Sequence, residues 1–223
     1  SFLSRNSIHN SMSSHHIVRD EQEPALIISD FLESQQEDIG QLLEWSPTVI
    51  AMESSLHDLL TLGIKIDVVV VPEERIPYWE EQLQFQYPIQ YLTTGGDTLL
   101  VFAQIIGHLL KKNYKTFHVL SNQLTLFDFI NLYERFKYRA ELIYINESQK
   151  ISIYPVGNYK KWLRQGQGVS VFPIEEPTYI RTSGFTQNPD NELLTAESYF
   201  EVETEGLVTV ETNLKPVIVA EVL

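Results

Sequence analysis

An α/β fold, in which an N-terminal Rossmann-like parallel sheet with crossover helices is followed by a smaller antiparallel β-sandwich or roll, is predicted by three observations. Short apolar runs alternate with helical patterns between Pro24 and about Ile145. After Lys150 the rhythm changes to strands divided by turn residues, with no helical period. The chain's 223 residues, 43% of them hydrophobic, are enough to fill the core that such a fold needs.

The apolar runs are ALIIS (25–29), TVIAM (48–52), IDVVVV (66–71), PIQYL (88–92), TFHVLS (116–121) and ELIYI (141–145). Unbroken runs of this length suit strands covered on both faces. Between them Ile39, Leu42 and Leu43, and later Leu99, Phe102, Ile106, Leu109 and Leu110, recur three and four positions apart, as on one face of a helix. Strands alternating with helices imply a parallel sheet. Further on, ISIYPV, GVSVFPI, TYIRTSGF, SYFEVE, GLVTVET and KPVIVAEVL read as antiparallel strands, with Asn158 to Gly168 as a connection carrying Trp162. The expected organisation is an arm over 1–20, an α/β domain over 21–148 and a β domain over 149–223. The arm is rich in Ser, Asn and His without the apolar core of a signal peptide; disorder is expected there, with Met12 as a candidate natural start.

Composition narrows the function. A formal charge of −14, with 16 basic residues scattered among 30 acidic ones, argues against a nucleic-acid surface. Nothing approaches the ~20-residue apolar run of a membrane span, so no membrane partner is expected. The lack of cysteine excludes disulfides and thiolate chemistry and fits a cytoplasmic protein.

Generic motifs are sparse: no GxGxxG, GxxxxGK[ST] or GxSxG occurs. TTGGDT (93–98) either holds an anion on the free N–H groups of a helix start or simply caps that helix through Thr94, Asp97 or Thr98. Glu73-Glu74, with Glu80-Glu81 beyond, either gathers Mg²⁺ at a strand end or forms a solvated face. His15-His16 is a metal-binding or a solvated pair, and His57, His108 and His118, inside elements, are packed or half-exposed histidines or else catalytic bases.

Longer phrases carry a resemblance. SSHHIVR (13–19), QEPALII (22–28), GQLLEWSP (40–47), GVSVFPI (168–174), TSGF (182–185) and GLVTVET (206–212) are together similar to the thiamine pyrophosphokinase family from about Ser13 to the C-terminus. The resemblance implies a homodimer with ligand sites between subunits, and transfer of a pyrophosphoryl group from ATP to thiamine, giving AMP and thiamine diphosphate. Mg²⁺ and ATP are the implied cofactors. Such transfer rests on positioning and charge neutralisation by metal-bound carboxylates.

At those stations the chain departs from the family. Asn-Gly after the first strand falls on Asp30-Phe31, and Asp-Gly after the second on Glu53-Ser54. G-D-F-D falls on Val71-Pro72-Glu73-Glu74, leaving Glu74 at a metal-ligand position, and D-Q-D-x-T-D falls on Gly96 to Val101, leaving Asp97 through a slip of register. G-R-R-x-D-H becomes Leu124 to Phe129, retaining Asp128 alone. The resemblance thus implies Glu74, Asp97 and Asp128 as catalytic remnants, the first two as metal ligands, and ATP contacts at Asp30, Glu53 and Thr94. On the thiamine side it implies Thr182, Ser183 and Ser198. The apolar residues Val101, Leu126, Phe129 and Phe200 either line a pocket or pack together. Three functions follow: a thiamine-pyrophosphokinase-like binding or interaction module with catalysis lost or weakened, an active enzyme using Glu53, Glu74, Asp97 and Asp128, and a structural partner of an active paralogue.

Overall fold

All six apolar runs form strands: β1 (Ala25–Ile28), β2 (Thr48–Met52), β3 (Val68–Val70), β4 (Gln90–Leu92), β5 (Thr116–Leu120) and β6 (Glu141–Ile145). They pair in parallel in the order β4-β3-β2-β1-β5-β6. The computed structural model describes residues 23–223. The expected arm, Met12, His15-His16 and SSHHIVR lie outside the described residues.

The helices are α1 (Gln36–Leu43), α2 (Leu56–Thr61), α3 (Ile76–Gln82), α4 (Thr98–Leu110) and α5 (Leu126–Phe136). The chain steps outward from β1 to β4, then α4 returns it to β5 beside β1. This reversal creates a topological switch point between β1 and β5, the usual ligand crevice of such sheets. Side chains of β1 alternate between two cores: Leu26 and Ile28 join Ile39, Leu56, Leu59 and Trp79 of α1 to α3, whereas Ala25 and Ile27 join Phe102, Ile106, Phe129 and Leu132 of α4 and α5. Burial on both faces explains why the run is apolar without alternation.

The remaining strands are β7 (Gln149–Tyr154), β8 (Asn158–Leu163), β9 (Gly168–Pro173), β10 (Thr178–Ser183), β11 (Asp190–Leu194), β12 (Ser198–Glu201), β13 (Gly206–Thr212) and β14 (Val217–Val222). Asn146 Oδ1 accepts from the N–H groups of Ser148 (3.0 Å) and Gln149 (2.9 Å), turning the chain so that β7 runs antiparallel to β6. The parallel sheet therefore continues into β7-β14-β9-β12, making ten strands, while β11-β10-β13-β8 form a second sheet. Tyr159, Phe185, Phe200, Val208 and Val219 form part of the core of this sandwich, which shares one layer with the parallel sheet.

Two strands depart from the sequence expectation. The stretch expected to connect from Asn158 is strand β8 as far as Leu163: Tyr159 and Leu163 point inward while Lys160 and Trp162 are exposed. Adjacent Lys160 and Lys161 conceal that alternation. Edge strand β11 exposes four of its five residues and so carries no apolar signal. Between β7 and β8 the turn requires Gly157: its φ is 54°, and a Cβ would lie 2.6 Å from the Lys215 carbonyl oxygen.

Candidate functional site

Six of the predicted residues stand beyond the carboxyl ends of β1 to β5. Asp30 follows β1, Glu53 follows β2, Glu74 lies in the 3₁₀ turn after β3, Thr94 and Asp97 precede α4, and Asp128 is in the first turn of α5. Their side chains are mostly committed to the protein itself.

Asp30 bridges the switch point. Its Oδ1 accepts from Ser29 Oγ at 2.5 Å, and the Asn122 N–H, just past β5, lies 3.2 Å from both carboxylate oxygens. Beneath it, fully buried Gln35 accepts through Oε1 from Leu32 N (2.9 Å) and Asn122 Nδ2 (3.0 Å). Ser54 Oγ donates to the Ser29 carbonyl, and Ser55 Oγ to that of Ile28 at 3.0 Å. The strand ends are thus tied together by neighbouring side chains.

Glu53 is an anchor between β2 and α3. Its Oε1 accepts from Arg75 Nε at 2.7 Å and from Trp79 Nε1 at 2.9 Å. Arg75 and Trp79 are four apart and share a helical face, and Trp79 is buried. Partial burial raises the Glu53 pKa, but the hydrogen bonds from Trp79 and Arg75 and the Arg75 charge outweigh it, leaving the carboxyl below the usual glutamate range.

Asp97 and Asp128 cap helices. Asp97 Oδ1 accepts from Leu100 N at 2.8 Å at the start of α4, which favours the capping reading of TTGGDT. In α5, Thr125 Oγ1 accepts from Asp128 N at 3.1 Å while Asp128 Oδ2 accepts from Thr125 N at 3.0 Å, a capping box. Glu74 is exposed and has no ion pair among the described residues. Thr94 is half-buried in the loop before α4. Among the described residues no group of three or more His, Cys, Asp or Glu side chains is placed to hold a metal ion, and of the edge carboxylates Glu53, Asp97 and Asp128 already accept hydrogen bonds from the protein.

The apolar substitutions face the interior. Phe129 is buried in the core beneath α4 and α5, Val101 and Leu126 pack against that core, and Phe200 is buried in the sandwich. Phe129, Val101 and Leu126 thus pack into or against a core, whereas Phe200 also lines a cavity beside Ser198 and Tyr199.

Thr182, Ser183 and Ser198 do not form one cluster. Thr182 is buried, its Oγ1 lying 3.5 Å from both the Gln187 carbonyl oxygen and Asn188 Oδ1. Ser198 lines a cavity of about 370 Å³ with those same two residues and Tyr199. Ser183, one residue on, points to the opposite face and bonds Thr209 Oγ1 at 2.8 Å. Ser198, on β12, is eight strands from β3 and Glu74 in the sheet order, roughly 38 Å along a sheet with ~4.8 Å between strands.

Arg75, Trp79, Gln35 and Asn122 were not predicted as parts of this edge. The i, i+4 spacing of Arg75 and Trp79 beside an acidic strand end is the one local signal that pointed to the first pair. Gln35 and Asn122 meet only through the crossover from β4 to β5, across 87 residues. Of the histidines, His57 packs on Trp79 with ring centroids 4.9 Å apart. Burial, helped by the Lys150 charge, lowers His118 to about 4, so it is neutral at pH 7.

A doubly wound parallel sheet prolonged into a two-layer β-sandwich defines the class. It is the thiamin pyrophosphokinase fold. The chain is similar to the thiamin pyrophosphokinase of Bacillus subtilis (TM-score 0.70, 15% identity, 89% of this chain and 98% of the other). It is similar also to that of Geobacillus thermodenitrificans (TM-score 0.68, 13% identity, 90% and 97%) and that of Candida albicans (TM-score 0.69, 12% identity, 90% and 89%). No family model matches the sequence, and no curated protein matches it significantly.

Proposed function

We propose that the protein is a thiamine-pyrophosphokinase-like binding or interaction module in which pyrophosphoryl transfer from ATP to thiamine is lost or strongly weakened. One observation carries this reading: the carboxylates at the strand ends serve as caps and anchors. Asp97 and Asp128 hold helix starts, Glu53 holds Arg75 and Trp79, and Asp30 ties the Asn122 loop to β1. An ion pair with Arg75 already neutralises Glu53, and a metal would have to break it. Each lost preorganised contact costs about 2–4 kcal/mol in a transition state. Three such losses remove roughly 10⁴- to 10⁹-fold of rate.

The separation of Ser198 from Glu74 supports a homodimer, since within one chain the two ends of the sheet are too far apart to share a small ligand. The protein is accordingly proposed as a cytoplasmic homodimer whose ligand candidates are thiamine and thiamine diphosphate, without nucleic-acid or membrane partners. Among the described residues no helix is long and apolar enough to cross a membrane.

Thermal denaturation with ATP alone and with ATP plus Mg²⁺ tests the reading. The melting temperature is expected to be the same in both. A metal-dependent rise of the size given by a ligand at 100 times its Kd, about 2.7 kcal/mol, overturns it.

A further inference from the structure

A cavity of about 470 Å³ opens at the amino end of β6, at the opposite end of the parallel strands from the carboxyl edge. The cause is a divergence of two strands. Residues 143–145 of β6 pair with 150–152 of β7, but β6 begins earlier, at Glu141, and β7 continues to Tyr154 paired with β14 and not with β6. Leu142 and Ile153, on the α5 face of their strands, make an apolar wall with the Tyr133 ring, while Ile143, Lys150, Lys161, Glu221 and Tyr154 line the opening from the other face.

The charges inside do not balance. Glu221 is 7% exposed and already bonds Lys161 Nζ, with Tyr159 Oη at 3.3 Å. Lys150 lies directly across the β7–β14 pair from Glu221, on the same face, yet forms no ion pair among the described residues. Two amines therefore share one carboxylate. At the mouth, Lys137 is held by Glu134 at 2.7 Å and Glu141 is exposed to solvent. Neutral His118 adds no charge. Burial and the Lys161 charge push the Lys150 amine below the usual lysine range against the opposing pull of Glu221, as for a cation short of a counter-ion.

We propose that this cavity binds a small organic monoanion, a carboxylate on a flat apolar body, with Lys150 as its counter-ion and the apolar wall against its body. The volume falls in the range of small-molecule sites, roughly 300–1,000 Å³. An entering carboxylate gives the uncompensated amine a charge-assisted hydrogen bond. This site is independent of whether the carboxyl edge is catalytic.

The test is isothermal titration of the full chain with 2-naphthoate and with its neutral isostere 2-naphthamide. The acid is expected to bind saturably and at least about tenfold more tightly than the amide, roughly 1.4 kcal/mol. In Lys150→Met that preference is expected to vanish, and in Lys150→Arg to persist. The Met variant is expected to melt no lower than the parent, because it replaces a desolvated, unpaired amine by an apolar chain of similar length. Equal binding of acid and amide to the parent, or no saturable binding of the acid, overturns the proposal without recourse to any variant. Unchanged acid affinity in Lys150→Met overturns the role of Lys150.

Discussion

Replacing Glu53 separates an anchor from a catalytic carboxylate. In Glu53→Ala the Trp79 indole N–H, on a ring that is 1% exposed, loses its acceptor. A buried donor left unpaired costs about 1–3 kcal/mol. The Arg75 bond contributes less, within ~1 kcal/mol, because both side chains are partly in water and screened (47% and 32% exposed). The combined loss is about 1–4 kcal/mol, and at roughly 2–4 °C per kcal/mol for a chain of this size the melting temperature falls by about 2–16 °C. Glu53→Gln keeps an acceptor for Trp79 and is expected to lose about 1 kcal/mol or less. The pH dependence has a definite sign. The Glu53 pKa is lowered in the folded state, so its stabilisation is present above the ordinary glutamate pKa and is lost as pH falls through the folded value. The gap between parent and Glu53→Ala therefore narrows in acid. Chemical denaturation followed by tryptophan fluorescence, at neutral pH and in acid, measures both effects. A Glu53→Ala protein as stable as the parent at neutral pH refutes the anchoring role and returns Glu53 to the candidates for ligand binding.

Other outcomes follow from the same geometry. Asp97→Ala removes the acceptor for Leu100 N and is expected to cost about 1 kcal/mol in urea denaturation, with Asp97→Asn close to the parent. Asp128→Ala opens the capping box of α5 and is expected to cost a similar ~1 kcal/mol, which a further Thr125→Ala change increases less than additively, since the two residues bond each other. Gly157→Ala forces a side chain into the left-handed region against the Lys215 carbonyl and is expected to lower stability by more than about 1 kcal/mol, measured by thermal melting. Purified protein is expected to elute as a homodimer from size exclusion at micromolar concentration; a monomer contradicts the proposed assembly.

The alternation of strands and helices was legible because a sheet buried on both faces needs unbroken apolar runs, and β1 to β3 obey that rule most fully. The edge residues Asp30, Glu53 and Glu74 that the resemblance implied do stand just past the ends of those runs. Legibility failed where a signal was masked or absent: the lysines of β8 hide its alternation, and β11 lies in solvent. The sequence also could not show that the sandwich shares a layer with the parallel sheet, because strand partners far apart in the chain carry no local signal of their pairing. Within the site, residue types were readable and their commitments were not. An aspartate before a helix is equally a cap and a metal ligand on paper; only the bond from Leu100 N to Asp97 distinguishes them. The same holds for Phe129 and Phe200, whose packing into cores became visible only with the fold.

The central claim, that these strand-end carboxylates hold the fold rather than a reaction, is tested most directly by AMP release from Mg·ATP and thiamine, measured beside the Bacillus subtilis enzyme. Release no faster than without protein is the predicted result. Thiamine-dependent AMP formation at a rate comparable with that enzyme contradicts it.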